Sequence, residues 1–267
     1  MRVPKQARHP LYEDPRLYDL AFGFRDIASE CSGMLAIADR HGVGRPRSVV
    51  DIASGPAHHL RELARRGLVA HGIELNREML AYSRSLCRDE NIKLDLRHAD
   101  MRSFRLGAAV DLAICLFDSF SHCTSDGDAV ATLRSAAAAL RHGGLLLLEL
   151  THPGDYFGTT GKRTSSRWTQ SYPEALLKTR FSTTRIDPIE ETYVASMTID
   201  VRFPNGRAPK RITDRQLHRM WLRGSLRHVA QASGAFDIVG WYGDLHPSIA
   251  LTPADGAWRM VAALRRR

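Results

Sequence analysis

The chain has 267 residues, 43% of them hydrophobic, and a formal charge of +9 from 38 Lys and Arg against 29 Asp and Glu. That length suits one large domain or a domain with a sizeable insertion, and the lack of any run of about 18 apolar residues argues against a membrane-spanning helix. The N-terminal MRVPKQARHPLYEDP has no apolar signal stretch, which predicts a cytoplasmic rather than a secreted protein. Four scattered cysteines (Cys31, Cys87, Cys115, Cys123) without a Cys-x-x-Cys pair fit a reducing compartment and offer no structural metal site. Positive charge can favour nucleic acid, phosphorylated substrates or acidic partners. Apart from Arg265–Arg267 there is no compact basic run, so the simpler reading is a dispersed, solvated surface, and a nucleic-acid partner is not expected.

Residues 11–42 read as a helical lead-in, with Tyr12, Tyr18, Phe22 and Phe24 near its start and Gly42 and Gly44 at its end. Strand patterns follow at 47–51, 70–74, 92–97, 110–115 and 144–150, with helices at about 57–66, 76–88 and 126–141. Apolar strands alternating with helices predict an α/β fold: a Rossmann-like, mostly parallel sheet with helices on both faces. The pattern changes after Glu149. Turn-rich THPGDYFGTTGKR leads into long antiparallel strands over 164–215, where Tyr193, Ala195, Met197, Ile199, Val201 and Phe203 recur at every second position. Asn205-Gly206 supplies a hairpin turn. A helix at 215–232 closed by Gly234, then the strands FDIVGWYG and AWRMVAALRR, return the chain to its core.

Ser48 to Gly67 is the most informative stretch. An apolar run ends in Asp51, a small-residue turn follows (Ala53, Ser54, Gly55, Pro56, Ala57), and Leu60, Leu63 and Ala64 recur at helical spacing. Strand, tight turn and helix let a ligand approach the backbone at a helix N-terminus. A dinucleotide fold would place Gly-x-Gly-x-x-Gly here; this chain has Ala53, Gly55 and Ala57, with the acidic residue before the turn. That arrangement resembles motif I of the class I S-adenosylmethionine-dependent methyltransferases, an acidic residue followed by Gly-x-Gly-x-Gly, with both flanking glycines replaced by Ala. Asp51, Gly55, Pro56, His59, Glu62, Leu63, Arg66 and Gly67 match a bacterial variant of it. Four further features fall in family order: HGIELNREML, HADMRSF, CLFDSFSH and LRHGGLLLLEL. The resemblance covers the whole chain except parts of the insertion.

The resemblance implies S-adenosylmethionine as cofactor. Glu74, 23 residues after Asp51, would accept both ribose hydroxyls, Asp100 would hold the adenine amino group, and Met101 would pack on the ring. The implied cofactor-binding set is Tyr18, Asp51, Ala53, Ser54, Gly55, Ala57, Glu74, Leu75, Met79, Asp100, Met101, Cys115 and Leu116. The methyl of Ala53 would narrow the approach to the methionine end. Each position also has an ordinary reading: a turn bond for Asp51, a surface carboxylate for Glu74, a turn residue for Asp100, core packing for Met101. The implied division is a cap at 1–46, the cofactor-binding core at 47–150, a substrate-covering antiparallel insertion at 151–214, and the return at 215–267.

Methyl transfer is an in-line displacement at an activated sulfonium, so the protein aligns the acceptor, excludes water and handles at most one proton. His122 is the first catalytic candidate, because His titrates in the useful range and CLFDSFSH resembles the run in bacterial enzymes that N-methylate amino sugars; a helix-start His with a structural hydrogen bond is the alternative. Asp118 can accept a proton or orient an amine, or cap a helix. Tyr242, with Asp244 and His246 in WYGDLH, follows the penultimate strand. His58 and His59 suit structure or the cofactor carboxylate better than a metal. Tyr12, Tyr18 and Phe22 can close the acceptor side. The expected function is methyl transfer to nitrogen or oxygen of a small-molecule amine or hydroxyl, phosphorylated and nucleotide-linked acceptors included, by a monomer or homodimer. The competing readings are an RNA methyltransferase, for which the aromatic-basic interleaving is missing, and a non-catalytic member suggested by Ala53. A nicotinamide dehydrogenase comes last, since no Tyr-x-x-x-Lys pair is found.

Overall fold

Short capped helices lead into the sheet. The computed structural model describes residues 9–157, 165–253 and 257–267. Helices α1 (Pro10–Glu13), α2 (Pro15–Phe22) and α3 (Ile27–Arg40) replace the continuous lead-in predicted over 11–42. The breaks have local causes: Asp14 and Asp26 accept from the backbone N–H of Leu17 and Ser29, capping α2 and α3, and Pro15 opens α2 where no donor is needed.

Strands β1 (Ser48–Ile52), β2 (Val69–Glu74), β3 (Asp95–His98), β4 (Val110–Cys115) and β5 (Leu140–Thr151) then alternate with α4 (His58–Arg65), α5 (Arg77–Asp89) and α6 (Asp126–Ala139); a 3₁₀ turn (Ser119–His122) follows β4. The third strand starts at Asp95 rather than 92, and β5 starts directly at the end of α6. The rest comprises α7 (Pro153–Phe157), β6 (Ser165–Tyr172), β7 (Ala175–Asp187), β8 (Thr192–Arg202), β9 (Lys210–Arg219), α8 (Arg223–Ser233), β10 (Phe236–Tyr242) and β11 (Arg259–Arg266). The helix predicted at 215–232 starts only at Arg223, because 215–219 complete β9. Ile212, Asp214 and Gln216 are its buried positions, so the period of two is present but carried partly by polar side chains.

The described residues form two sheets. The larger has the order β10-β11-β5-β4-β1-β2-β3, parallel except for β11, which runs antiparallel between β5 and β10. In β5 the leucines divide by parity. Leu146, Leu148 and Leu150 join the core under α6 and α8 with Leu133 and Val229, while Leu145 and Leu147 join the core under α3 and α4 with Met34, Ile37 and Leu60. A run of apolar residues is thus what a strand buried on both faces requires. The smaller sheet, β6-β7-β8-β9, is antiparallel. Its inner face packs Ala175, Leu177, Ile199, Val201 and Ile212 against Leu11, Leu17 and Ala21 of α1 and α2. Trp168 and Tyr172 donate to the carbonyls of Ala21 and Leu20 at 2.6 and 3.0 Å, fixing this lid to the lead-in. Among the described residues no helix is long and apolar enough to cross a membrane.

Candidate active site

At the carboxyl ends of β1 and β2 lies a cavity of about 220 Å³ walled by Ala53, Gly55, Glu74, Leu75, Met79, Asp100, Met101 and Tyr18. The turn after β1 takes left-handed backbone at alternate residues: Ala53 (φ 66°), Gly55 (φ 52°) and Ala57 (φ 61°). The Ser54 and Ala57 N–H groups are bonded to the carbonyls of Ile73 and Ser54. Gly55 N–H donates to Glu74 Oε2 at 2.9 Å, and Asn76 N–H donates to Oε1 at 2.7 Å. Burial raises the Glu74 pKa, with these two donors opposing the rise. Asp51 lies behind the turn, 4% exposed, and burial, reinforced by Glu74 and Glu149, pushes its pKa well above the usual carboxylate range. Asp51 Oδ1 and Ser54 Oγ are buried with no hydrogen-bond partner among the described residues, and a Cβ on Gly55 would meet open space. Neither Asp51 nor Ser54 walls the cavity; the open cradle at Gly55 and the carboxylates of Glu74 and Asp100 along its wall fit a polar ligand of nucleoside type. Burial raises the Asp100 pKa, but its fork with Arg102, at 2.6 to 3.2 Å, outweighs this and holds it below its ordinary value. Ala57, fully buried in the core with Leu60, does not wall this cavity, and neither do Cys115 and Leu116. Alternation along the end of β4 sends their side chains into the two opposite cores.

A second cavity, about 330 Å³, lies between the sheet ends and the lid. Tyr12, Tyr18, Ser119 and His122 wall both cavities, so the two meet at these residues. A series of aromatic rings forms one side of its wall: Tyr12, Tyr18 and Phe22 follow one another tilted at centroid distances of 5.7 and 4.7 Å, and Phe22 continues to Phe117 (5.1 Å, edge-on) and Trp168 (5.7 Å). Its polar side is built from the 3₁₀ turn and the lid. Asp118, held in left-handed backbone (φ 59°) next to Phe117 (φ 58°), accepts from Ser121 Oγ (2.7 Å), Thr151 N–H (3.0 Å) and the Tyr193 hydroxyl (2.8 Å). Two adjacent non-glycine residues in that region are strained, which is tolerated where a site needs a fixed geometry. Burial raises the Asp118 pKa despite these donors. The Tyr193 oxygen also meets His218 Nδ1 at 3.2 Å, and the His218 and His122 rings stand edge-on at 4.4 Å. Burial lowers the His122 pKa to about 3, helped by His218, and the His218 pKa to about 4, helped by His9. Both imidazoles are therefore neutral acceptors near neutrality.

Beside this cavity lies a buried charge network. Arg25, between α2 and α3, donates to Glu30 and Glu149, and Arg259 of β11 donates to the same two carboxylates, all at 2.9 or 2.8 Å. His59 Nε2 meets Glu30 at 2.8 Å, and His58 pairs with Asp19, so both histidines of the first α4 turn brace the lead-in. Tyr242 is not brought to either cavity. Its ring packs in the core under α3 and its hydroxyl meets His41 at 2.8 Å, because it falls on the inward parity of β10. Asp244 is spent on Arg259 and Trp258, and His246 on Ser248. Sequence reasoning missed His218, Gln216, Asp214, Trp168, Arg25 and Glu149. The first three sit on the buried parity of β9, a pattern detectable only once the strand is recognised; for the lone Arg25 no local signal exists.

Residues 49–144 match a family described as "Methyltransferase domain". The chain is 32% identical over 139 residues to the Streptomyces fradiae dTDP-3-amino-3,6-dideoxy-alpha-D-glucopyranose N,N-dimethyltransferase, covering 51% of this chain and 52% of that protein. It thus spans only about half the length of this relative. Among solved structures, an S-adenosylmethionine-dependent methyltransferase from Clostridium acetobutylicum superposes with a TM-score of 0.75 at 15% identity, covering 94% of this chain and 96% of that one. Streptomyces venezuelae DesVI gives 0.74 at 22%, covering 92% and 96%. The chain as a whole thus has the Rossmann-like fold seen in these methyltransferase structures, with the family match lying in its first sheet half.

Proposed function

We propose that this protein transfers a methyl group from S-adenosylmethionine to the amine nitrogen of a small-molecule acceptor. The observation that carries this reading is the meeting of the two cavities at Tyr12, Tyr18, Ser119 and His122. One cavity has the acidic residues and glycine cradle suited to a nucleoside; the other has an aromatic wall and neutral imidazoles. When bound, S-adenosylmethionine supplies a methyl group already activated on a sulfonium. Glu74 then exchanges its backbone donors for, or shares them with, the ribose hydroxyls. Asp51 and Ser54, buried behind the turn, hold its shape, while Ala53 and Gly55 border the cavity on that side and Asp100 and Met101 border the adenine side. The acceptor amine lies against His122, whose neutral nitrogen accepts an N–H hydrogen bond and aims the lone pair; Asp118, fixed by Tyr193, holds the 3₁₀ turn in place. A group of pKa about 3 is too weak a base to take a proton from an alcohol, but an amine loses its proton to water. Nitrogen is therefore favoured over oxygen.

The division of labour proposed with it is that 47–150 holds the cofactor, 151–214 covers the acceptor, 1–46 closes the cavity and 215–267 completes the core. The sugar-nucleotide amine named for the Streptomyces fradiae relative makes amino sugars the first acceptors to try. The test is incubation with S-adenosylmethionine and a panel of amino sugars, amines and phenols, with methylated product read by mass spectrometry. N-methylation is expected. In parallel, Glu74→Ala removes an acceptor of charged hydrogen bonds worth roughly 1.5–3 kcal/mol each, so affinity for S-adenosylhomocysteine falls by at least about tenfold. Unchanged affinity in that variant, or methylation of phenols alone, rejects the assignment.

A further inference from the structure

A third cavity, about 240 Å³, adjoins the acceptor cavity and shares Phe24, Arg25, Trp258 and Arg259 with it. Six large apolar side chains are well exposed among the described residues, and two of them, Phe24 (52%) and Trp258 (43%), flank this one cavity. Paired exposed aromatics beside a binding cavity mark a recognition surface rather than scatter. Both rings are held in place. The Trp258 indole donates to Asp244 at 3.0 Å and lies 3.5 Å from the guanidinium of Arg259, which Glu30 and Glu149 fix in turn. Phe24 stands 5.7 Å from Trp168 and 6.4 Å from Phe22, at the outer end of the aromatic series lining the acceptor cavity. Rings already immobilised lose little freedom when a ligand stacks on them. The charges near them are carboxylates in excess: Asp26, Glu30 and Asp244 against Arg25 and Arg259, whose guanidiniums are already engaged.

The geometry points to a second subsite, in which Phe24 and Trp258 stack a neutral aromatic ring that the acceptor carries on the side away from its amine. The acceptor class is then an amine-bearing glycoside of an aromatic aglycone. A diphosphate arm would have to pass Asp26 and Asp244, whereas a neutral ring gains stacking without that opposition. This inference rests on the amine-methylation reading above and narrows it.

The test uses the wild-type protein saturated with S-adenosylhomocysteine. It is titrated calorimetrically with the 4-nitrophenyl glycoside of an amino sugar, its methyl glycoside and its nucleoside-diphosphate form; methylation of the methyl glycoside is followed separately with S-adenosylmethionine. The aryl glycoside is expected to bind about tenfold more tightly than the methyl glycoside. Trp258→Ala and Phe24→Ala are each expected to collapse that ratio towards one while S-adenosylhomocysteine affinity stays unchanged. Trp258→Phe, which keeps a flat ring and loses the bond to Asp244, is expected to retain most of the ratio; a bracing role for the indole alone would make it fail as Ala does, and would overturn the subsite. Methylation of the methyl glycoside with no aryl preference, or tighter binding of the nucleotide form, overturns this inference and leaves the amine reading standing. Failure to bind or methylate any of the three overturns both.

Discussion

Ala53 and His122 are the residues at which sequence expectation and geometry meet most sharply. Ala53 occupies the left-handed region at φ 66°, where an L-residue costs roughly 1–2 kcal/mol. Glycine relieves that strain but adds unfolded-state freedom worth about 0.4–1 kcal/mol. Ala53→Gly is therefore expected to be neutral or stabilising by up to about 1 kcal/mol, with S-adenosylhomocysteine bound equally well or more tightly. Urea denaturation and calorimetry decide it, and a clear loss of stability would mean that the methyl packs usefully. His122, with its pKa near 3, is neutral across the working range. The acidic limb of kcat/KM must then belong to the acceptor's ammonium, shift with the acceptor's own pKa, and survive in His122→Asn. His122→Ala is expected to lower kcat by about 10²-fold through misalignment, with cofactor affinity retained; a variant of full activity would leave the imidazole a structural part. Both buried histidines also have folded pKa values below their unfolded value of about 6.5, His218 at about 4. The stability they contribute is complete above about pH 6.5 and is lost as the pH falls through that value towards 4 and 3, because only the unfolded chain is then protonated. The double variant His122→Gln/His218→Gln should flatten the dependence of urea midpoint on pH in that window.

At the scale of elements, the molecule is held together where α3, β5 and β11 converge. Glu30 and Glu149 each touch both Arg25 and Arg259, and all four side chains are 10% exposed or less. Removing one partner leaves a buried guanidinium under-compensated, which typically costs about 3–5 kcal/mol. Glu149→Gln should lower stability by that order in chemical denaturation and loosen Arg25 at the edge of the acceptor cavity; a loss under about 1 kcal/mol would show that water reaches the network. Burial alone would raise both carboxylate pKa values, but the pairing with His59, Arg25 and Arg259 outweighs it and takes Glu30 down to about 2. Their stabilisation is accordingly present above the ordinary glutamate range and lost as the pH falls below it. None of this network was legible locally, since its members lie as far apart as residues 25 and 259. The parallel strands were legible because burial on both faces writes apolar runs such as Leu145–Leu148, and the turn after β1 because only small residues tolerate its backbone. Strand β9 was misread beyond 215 because its inward positions include Asp214 and Gln216, chosen for a polar cavity, so hydropathy hides the period of two. Position brought Glu74 and Asp100 to one cavity, whereas Asp51, Ser54 and Ala57 of the motif turn lie outside its wall. The acceptor side was not readable, since His218, Tyr193 and Trp168 meet it only through the pairing of β6 to β9. Tyr242 failed for the converse reason: parity on β10, invisible in a short motif, turned it inward.

Over the whole molecule the net charge of +9 is unevenly placed. Residues opposite one another in the lid pairing share a face, and the outward face carries exposed Arg167, Arg180, Lys178, Arg202, Arg211 and Arg215. Asp200, which pairs with Arg211, is the carboxylate set among them. The inward face meets a cavity bordered by Asp118, Asp155 and Asp214, where Glu149 is paired with the guanidiniums of Arg25 and Arg259. An approaching acceptor therefore meets a positive field at long range and carboxylates at short range. For an amine still protonated in solution the long-range part is repulsive. It extends about 30 Å at 0.01 M salt and about 8 Å at 0.15 M. Raising salt between those limits should increase kcat/KM for a cationic amine, by a factor of about two to ten, with kcat unchanged once the acceptor is bound. A nucleotide-linked acceptor should show the opposite slope, because screening removes attraction. Arg167→Glu combined with Arg180→Glu and Arg215→Glu reverses charge on the outward face and should flatten both slopes. Equal slopes for cationic, neutral and anionic acceptors would mean that the lid's outer charge is only solvated surface.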